Sequence, residues 1–462
     1  MKYINEEKIN NLLLEGKKFG YRRLDAILDK SRSLKRLTLS ESAALLSVND
    51  PEYIKKIFST ASLVKDAIYG RRIVLFVPLY ISNFCVNFCL YCAFKSDNTL
   101  IKRKTLTIAE INNQTEWLLR RGHKRILMVC GENALAGKTG IDYYLKAIKA
   151  IYAAQVGKNK IRRVNVNCAP LTVDEFKQLK ASGIGTYQIF QETYHSQTYL
   201  QMHPKGPKND PDNRIDAVDR AFTAGIDDIG IGALFGLYDY KFETLGLLSH
   251  VEHMEEKFKV GPHTISVPRI EPAEGAALSL NPPYRISDDD FKKVVAVLRL
   301  SVPYTGIIMS TRENIKMRDE LLALGVSQIS AESNTSPGGY SAGDKEHTGS
   351  QFSLADNRSL DEVVGALIAH NYIPSFCAAC YRRKRTGETF MQLAKPGRIK
   401  DKCNMNALIT LQEYLDDFAS SGVKDLGYKM VQRYLKQLDS KQQDKLNLLL
   451  LHVAGGVRDE YI

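Results

Sequence analysis

The sequence predicts an α/β fold: a complete (β/α)8 TIM-type barrel with an N-terminal helical extension and a C-terminal helical annex. Short β-rich runs alternate with helical segments through the middle of the chain, and both ends are mainly helical in pattern. The chain has 462 residues, of which 44% are hydrophobic and 25% charged, so one large barrel with appendages is feasible. An open doubly wound sheet is the structural alternative.

The N-terminal extension covers residues 1–70. Apolar residues recur there at helical spacing, as in KINNLLLEGKK, YRRLDAILDK and SESAALLSVNDPEYIKKIFSTASLVKDAIYG. We expect these helices to cap the barrel.

The barrel pattern covers residues 71–340. Helical stretches separate the β-rich runs, and several end in glycine, as helices often do. Eight such units over this length match the usual size of a (β/α)8 barrel. The β-rich runs are, in order, RRIVLFVPLYIS, RILMVC, RRVNVN, TYQIFQ, DDIGIGALFG, HTISVPRI, TGIIMST and SQISAES.

The C-terminal domain covers residues 341–462. The stretch after Glu332, NTSPGGYSAGDKEHTGSQFSLADNRSL, is rich in Gly, Ser and Asp, so we expect an extended loop that links the barrel to the tail. Segments such as LDEVVGALIAHN and ALITLQEYLDDFAS then predict helices around a second group of cysteines.

The formal net charge of +12 raises the question of a nucleic-acid partner. Lys and Arg are spread over the whole chain without a patch that interleaves basic and aromatic residues, so we expect a solvated basic surface and no nucleic acid. No apolar run approaches the roughly 20 residues that a bilayer span needs. We therefore expect a cytoplasmic protein without a membrane partner.

Six of the eight cysteines fall into two groups of three, one directly after the first β-rich run and one in the tail. Eight cysteines are too few for a disulfide scaffold in a chain of this length, and clustered thiols in a reducing compartment usually bind metal. Cys130 and Cys168 stand alone, and we interpret them as buried small residues.

The first group is Cys85, Cys89 and Cys92, in the pattern CxxxCxxC. Its place after the first strand is the catalytic end of a barrel. Three thiolates leave one iron of a four-iron four-sulfur cubane open to a small chelating ligand. A zinc site is the alternative, but zinc prefers a fourth protein ligand.

This motif closely resembles that of the radical S-adenosylmethionine (SAM) superfamily. The resemblance implies that SAM fills the open iron site and is split to a 5′-deoxyadenosyl radical. Gly131 and Glu132 match the last two residues of the GGE motif that binds the SAM amino group, although Cys130 replaces the first glycine. Tyr91 matches a residue beside the adenine. Further matches to an adenine-contacting glycine-rich strand are Gly230, Ile231 and Gly232.

The second group is Cys377 and Cys380 in a CxxC pair, followed after 22 residues by Cys403. Three ligands again suit an iron–sulfur cluster with an open iron. A zinc site that uses His452 or His370 as the fourth ligand stays open as the alternative.

Taken over nearly its full length, the chain resembles the HydG family of FeFe-hydrogenase maturases, which are radical SAM tyrosine lyases. The resemblance rests on both cysteine groups together with three further runs. The thiamine-pathway tyrosine lyases share the barrel but lack the tail with three cysteines, so the tail discriminates. The three runs are QETYH at 191–195, HTISVPRIEP at 263–272 and STRE at 310–313.

The resemblance implies that the Cα–Cβ bond of L-tyrosine is cleaved to p-cresol and dehydroglycine, which yields carbon monoxide and cyanide. It also implies an auxiliary four-iron four-sulfur cluster with an additional iron, which collects both molecules for H-cluster assembly, and His263 matches the ligand of that iron. The implied partners are a maturation scaffold, a companion maturase, and an electron donor such as ferredoxin or flavodoxin.

Several side chains are candidates for contacts with tyrosine or SAM. Arg312, just past the seventh strand, offers a bidentate contact to the tyrosine carboxylate; a surface ion pair is the alternative. Glu192 is a candidate for SAM contacts, whereas His195 is interpreted as a packing residue. Ser330 and Ser333 are both candidates for the substrate amino group. We hypothesise that the barrel interior is the channel between the two cysteine groups.

Two other functions stay open. A radical SAM aromatic amino-acid lyase would release dehydroglycine (2-iminoacetate) for thiamine-type biosynthesis, with a purely structural tail cluster. A zinc-bearing scaffold or nucleic-acid-binding protein would keep the barrel without the chemistry.

Overall fold

Eight parallel strands close into a barrel between Arg72 and Ser330 in the computed structural model, which describes residues 1–133, 139–341 and 349–462. The last barrel strand pairs with the first at Phe76 and Ser330, so the predicted (β/α)8 barrel is confirmed and the open sheet is wrong. Each predicted run contains one barrel strand. The strands in chain order are β1 (Arg72–Ser82), β2 (Arg125–Cys130), β3 (Gln155–Val156), β4 (Asn159–Lys160), β5 (Arg163–Asn167), β6 (Tyr187–Gln188), β7 (Ile229–Gly232), β8 (Thr264–Ser266), β9 (Gly306–Met309), β10 (Val326–Ser330) and β11 (Ile373–Ser375).

Three of these strands lie outside the barrel wall. β3 and β4 form a separate antiparallel hairpin. β11, from the predicted C-terminal domain, pairs in parallel with β1 from Arg72 to Val74, next to the point where β1 pairs with β10. The tail is therefore joined to the barrel by backbone hydrogen bonds, and the division into 1–70, 71–340 and 341–462 stays a proposal.

Helices surround the barrel, and their starting points follow from local sequence. Thr107 with Glu110, and Thr172 with Glu175, form complete capping boxes that fix where two of the outer helices begin. The helices in chain order are α1 (Glu6–Gly16), α2 (Tyr21–Arg32), α3 (Leu39–Ser47), α4 (Pro51–Tyr69), α5 (Ile108–Arg120), α6 (Ile141–Ala153), α7 (Val173–Ala181), α8 (Ser196–Met202), α9 (Pro211–Ile215), α10 (Ala217–Thr223), α11 (Tyr240–Phe258), α12 (Asp288–Ser301), α13 (Ile315–Leu324), α14 (Leu360–Ala369), α15 (Ala379–Arg382), α16 (Gly387–Ala394), α17 (Lys400–Asp417), α18 (Ser421–Leu435) and α19 (Ser440–Ala454).

The N-terminal extension lies along the flank of the barrel. α1 and α3 pack against α11, and α4 packs against α12 and α13 before the chain enters β1. In the tail, α17 packs against β11, α18, α19 and α4. These contacts join both ends of the chain near the start of β1. No helix within the described ranges is long and apolar enough to cross a membrane.

Part of the predicted linking loop covers the barrel instead of only leading to the tail. Ser353 donates its backbone N–H to the Pro272 carbonyl at 2.8 Å, and Ala355 donates to the Thr311 carbonyl at 3.0 Å. These bonds hold the segment 350–356 across the carboxyl end of the barrel. Residues 342–348 of the predicted loop lie outside the described residues.

The close crossing of α1 over α3 generates a stability prediction. A Cβ at Gly16 would lie 2.8 to 2.9 Å from backbone atoms of Ala43 and Ala44, so Gly16→Ala must push the helices apart. We expect it to destabilise the protein by about 1–3 kcal/mol, measured as a lower Tm. Gly422→Ala is the control, because a Cβ there meets nothing within 4 Å and alanine favours the helix. Equal Tm values for both variants would show that the crossing is not this tight.

Candidate active site

The first cysteine group lies in the loop after β1 and opens into a cavity at the carboxyl end of the barrel, here called the upper cavity. Cys89 is buried, Cys85 and Cys92 are half-buried, and all three line this cavity with their thiols unpaired. The loop is fixed by Val86, whose N–H donates to the Glu132 carbonyl at 2.8 Å. The structure therefore brings the three cysteines of the first group to one cavity.

The donor set around these thiols suits an iron–sulfur cluster. Asn87 Nδ2 lies 3.6 Å from Cys85 Sγ, and Gln351 Nε2 lies 3.6 Å from Cys92 Sγ, so two of the sulfurs have amide donors of the kind that tune such clusters. Among the described residues, no three His, Cys, Asp or Glu side chains are grouped so as to hold one metal ion. Thiolates of a cubane bind separate iron corners and stand farther apart than the ligands of a single zinc ion.

The turn after β2 fits tightly against the cysteine loop. A Cβ on Gly131 would overlap the carbonyl oxygen of Phe84, so only glycine allows this approach. The next carboxylate, Glu132, accepts a hydrogen bond from Asn87 Nδ2 at 2.6 Å. Gly131 and Glu132 therefore lie beside Cys85 in the upper cavity, and Cys130, also in its lining, is buried.

Glu192 is held by two cations that the sequence analysis missed. Lys208 Nζ donates to Glu192 at 2.7 Å and to the Tyr91 hydroxyl at 3.0 Å, and Arg214 lies 3.6 Å from the same carboxylate. Burial disfavours ionisation of Glu192, but Lys208 and Arg214 outweigh it and hold the pKa of the carboxyl below its ordinary value. Glu192 also has a φ of +70°, a backbone conformation that non-glycine residues rarely adopt.

The glycine-rich strand β7 turns two glycines toward the barrel interior. A Cβ on Gly230 would lie 2.6 Å from Gln188, and one on Gly232 would lie 2.7 Å from the Ser266 carbonyl, so both glycines face the barrel interior. Ile231 between them points to the opposite face and packs in the hydrophobic core, so its backbone is the part that faces the barrel interior. Leu234, farther along, packs against Tyr91 in the upper cavity.

Arg312 lies in the upper cavity and not in a surface ion pair. Its guanidinium stacks on Phe352 with 3.4 Å between the guanidinium carbon and the ring centre, and Nη1 donates to the Arg269 carbonyl at 3.1 Å. Glu313 pairs with Arg269 instead, and Arg312 pairs with no carboxylate among the residues described. Burial lowers the pKa of Arg312. An unpaired, half-buried cation facing a cavity is suited to a carboxylate ligand.

The two candidate serines differ in their hydrogen bonding. Ser330 Oγ accepts the Thr311 backbone N–H at 3.2 Å, whereas the buried Ser333 hydroxyl has no partner in the described part of the chain. Both line the upper cavity. His195 does not: it caps α8 and stacks on Tyr238, which agrees with its interpretation as a packing residue.

The tail cysteines line a second cavity at the amino end of the barrel, here called the lower cavity. Cys377, Cys380 and Cys403 share it with His263, which directly precedes β8. His263 Nδ1 lies 3.6 Å from Asp228, and burial lowers the pKa of the ring, so the imidazole is neutral, as a metal ligand requires.

The two histidines proposed for a zinc site lie elsewhere. His370 lies 3.6 Å from Asp319 with 55% of its side chain exposed, and His452 lies 3.7 Å from Glu460 with 46% exposed. Neither lines the lower cavity, so the zinc site that requires one of them is not formed.

Comparison with known proteins shows which family has this barrel. Residues 79–249 match the radical SAM superfamily, and residues 266–373 match the Biotin and Thiamin Synthesis associated domain. A crystal structure of HydG, a maturase of the [FeFe]-hydrogenase, is 46% identical with a TM-score of 0.96 and full coverage of both chains, 100% each. This chain belongs to the HydG family of radical SAM enzymes.

Other members and relatives of the HydG family agree with this placement. HydG from Carboxydothermus hydrogenoformans is 40% identical, with a TM-score of 0.84 over 96% of this chain and 97% of that one. The 2-iminoacetate synthase of Escherichia coli (strain K12) is 31% identical over 350 residues, which are 76% of this chain and 89% of the relative. The family implies a four-iron four-sulfur cluster and SAM, which the donor set of the upper cavity fits.

Replacement of Gly131 generates a prediction about cluster binding. We expect Gly131→Ala to displace the cysteine loop through Phe84 and to abolish the EPR signal that responds to SAM in the reconstituted, reduced protein. Cys130→Ala is the control, because it changes the adjacent residue without adding an atom near the loop. A Gly131→Ala protein with a normal SAM-responsive signal would contradict the role of Gly131 in holding the cysteine loop. A Cys130→Ala protein without that signal would show that the effect is not specific to Gly131.

Proposed function

We propose that this enzyme cleaves the Cα–Cβ bond of L-tyrosine to p-cresol and dehydroglycine, and that dehydroglycine then yields carbon monoxide and cyanide. Both would leave as an iron carbonyl/cyanide unit for assembly of the FeFe-hydrogenase H-cluster. The observation that carries this proposal is the placement of two groups of three free cysteines at opposite ends of one barrel interior.

The upper cavity would hold the first cluster and SAM. Cys85, Cys89 and Cys92 would ligate the cluster, and Glu132 and Glu192 would hold polar groups of SAM. Bound there, the reduced cluster and SAM supply the one-electron chemistry that breaking an unactivated bond requires. Lys208 and Arg214 keep Glu192 ionised at neutral pH, so that this carboxylate acts as a hydrogen-bond acceptor.

Arg312 and Ser333 would orient the tyrosine substrate. The Arg312 guanidinium would bind the carboxylate, because Phe352 fixes its plane and no described carboxylate neutralises it. Ser333 suits the amino group better than Ser330, because its oxygen accepts no hydrogen bond from the described residues. The segment 350–356 over the cavity would exclude water from the reaction.

The barrel interior supports passage from the upper to the lower cavity. On β1, Val74 lines the lower cavity and Phe76 the upper one, and two residues of a strand span about 7 Å. Barrels usually fill the interior between their two ends with bulky branched side chains. In this barrel, amide and hydroxyl groups and two glycines predominate between the upper and lower cavities. The interior residues at this level are Val74, Leu127, Gln188, Gly230, Thr264, Gly306 and Gln328.

In the lower cavity, the three tail cysteines would hold the auxiliary cluster. His263, as a neutral imidazole beside them, would bind the additional iron that is the cargo of the reaction. The scaffold, the companion maturase and the electron donor, ferredoxin or flavodoxin, stay proposals that rest on the family alone.

A second candidate function is supported by the similarity to 2-iminoacetate synthase. In that case the enzyme would release dehydroglycine for thiamine-type biosynthesis, and the tail cluster would be structural. The two candidates share the upper cavity and differ in the products that leave the lower one.

Product analysis separates the two candidates. We expect the reconstituted protein, incubated without oxygen with SAM, dithionite and L-tyrosine, to form p-cresol, carbon monoxide and cyanide. A variant with Cys377→Ala and Cys380→Ala should keep p-cresol formation and lose carbon monoxide, because only the lower site is changed. Formation of p-cresol without carbon monoxide or cyanide by the parent protein would replace the first candidate with the second.

Tyrosine binding by Arg312 is tested by Arg312→Gln. We expect the KM for tyrosine to rise about tenfold or more, since a charge-assisted hydrogen-bonded pair contributes roughly 1.5–3 kcal/mol. The exposed Arg285→Gln is the control, because among the described residues the Arg285 side chain donates only to the Leu280 carbonyl. In the same assay Ser333→Ala should raise this KM more than Ser330→Ala. An unchanged KM in Arg312→Gln with a loaded first cluster would remove Arg312 from the site.

A further inference from the structure

Three adjacent barrel strands begin with an arginine at the lower rim. Arg72 opens β1, Arg125 opens β2 and Arg163 opens β5, and these strands are neighbours in the sheet. Their residues are only 8%, 6% and 9% exposed. Burying guanidinium groups together is unfavourable unless each finds an anion or a full set of hydrogen-bond acceptors.

All three arginines bury an Nε that has no partner among the described residues, and protein groups bind other donors of two of them. Arg163 donates to the Ile184 carbonyl at 2.8 Å and stacks 3.1 Å above the Tyr381 ring. Arg125 donates from Nη1 to the Cys377 carbonyl at 2.6 Å, while its Nε is buried without a partner.

Arg72 differs from the other two because its guanidinium donates no hydrogen bond to any described residue. Its guanidinium lies 4.9 Å from the Tyr69 ring centre, its Nε is buried without a partner, and it pairs with no carboxylate in the described ranges. Arg72 and Arg125 both line the lower cavity, next to the tail cysteines. This side of the cavity therefore has two cations that form no ion pair with a carboxylate of the described residues.

We propose that Arg72 and Arg125 form an anion-binding site in the lower cavity, and that its ligand is the two-carbon carboxylate derived from the substrate. This inference rests on the proposed function, since cleavage of tyrosine between Cα and Cβ leaves the carboxylate on the smaller fragment. The planar fork of Arg72 presents paired donors and no acceptor, which matches the two oxygens of a carboxylate. Arg125, held through Nη1 by the cysteine loop, would align the fragment with the tail cysteines and His263.

Binding can be measured without turnover. The probe is glyoxylate, the stable oxo counterpart of dehydroglycine, titrated calorimetrically into the cluster-loaded full chain. Saturating SAM and L-tyrosine keep the upper cavity occupied, and the absence of a reductant prevents reaction. We expect one binding event in the parent protein and an affinity about tenfold or more weaker in Arg72→Gln.

The matched control is Arg71→Gln, because Arg71 is the preceding residue, has 42% of its side chain exposed and lies 3.5 Å from Asp66. It should bind glyoxylate like the parent. Arg72→Lys keeps the charge but loses the fork, so we expect its binding to fall between the other two. Parent-like binding in Arg72→Gln would overturn the proposal, and parent-like binding in Arg72→Lys would show that only charge is needed.

Cluster content is followed separately through iron analysis and the EPR signal of the tail cluster in every variant. If Arg72→Gln loses tail iron, Arg72→Lys carries the test, with binding weaker than the parent's at full iron content expected. A parent protein without a tail cluster would contradict the proposed function instead, so the two failures are distinguishable.

Discussion

Both sites depend on the parallel direction of the eight barrel strands. Because every strand runs the same way, the loops that carry Cys85, Glu132 and Arg312 meet at one rim, although they are far apart in sequence. The same direction brings Arg72 and His263, which stand at the starts of their strands, together at the other rim. A single open edge would have separated these groups, so the pairing of β1 with β10 is required for both cavities.

The barrel interior between the two cavities has few bulky apolar side chains, although this region usually forms part of the core of such a barrel. The apolar packing lies instead in the outer shell, where β1 is buried along its whole length and the outer helices pack against the sheet. The tail adds β11 to the amino end of β1, close to the lower rim. The protein can keep an open interior because the layers around that interior are closely packed.

Much of the fold could be predicted from local sequence patterns, whereas only some residues of the two sites could. The strands and the cysteine groups could be predicted because alternating segments and ligand spacing are properties of neighbouring residues. Lys208 and Arg214 were missed, because they reach Glu192 from the region after β6, where nothing in the sequence marks a charged residue as a partner. β11 was missed because three residues form no recognisable periodic pattern. His263 was assigned through the resemblance alone, because a single histidine before a strand has no distinguishing local pattern.

The two cavities share one chemical feature, an arginine without a carboxylate partner in the described chain. Arg312 above is held by Phe352, and Arg72 below lies near Tyr69, so both guanidinium groups rest near aromatic rings and keep donors free. On the proposed function, a carboxylate is the one charged group that tyrosine and its two-carbon fragment have in common. An arginine in each cavity then gives that carboxylate a cationic partner before and after cleavage. The amide groups of Gln188 and Gln328, in the interior between the two arginines, supply polar contacts without a competing charge. Passage through the barrel would therefore need no protonation of the fragment, since it begins and ends beside an arginine.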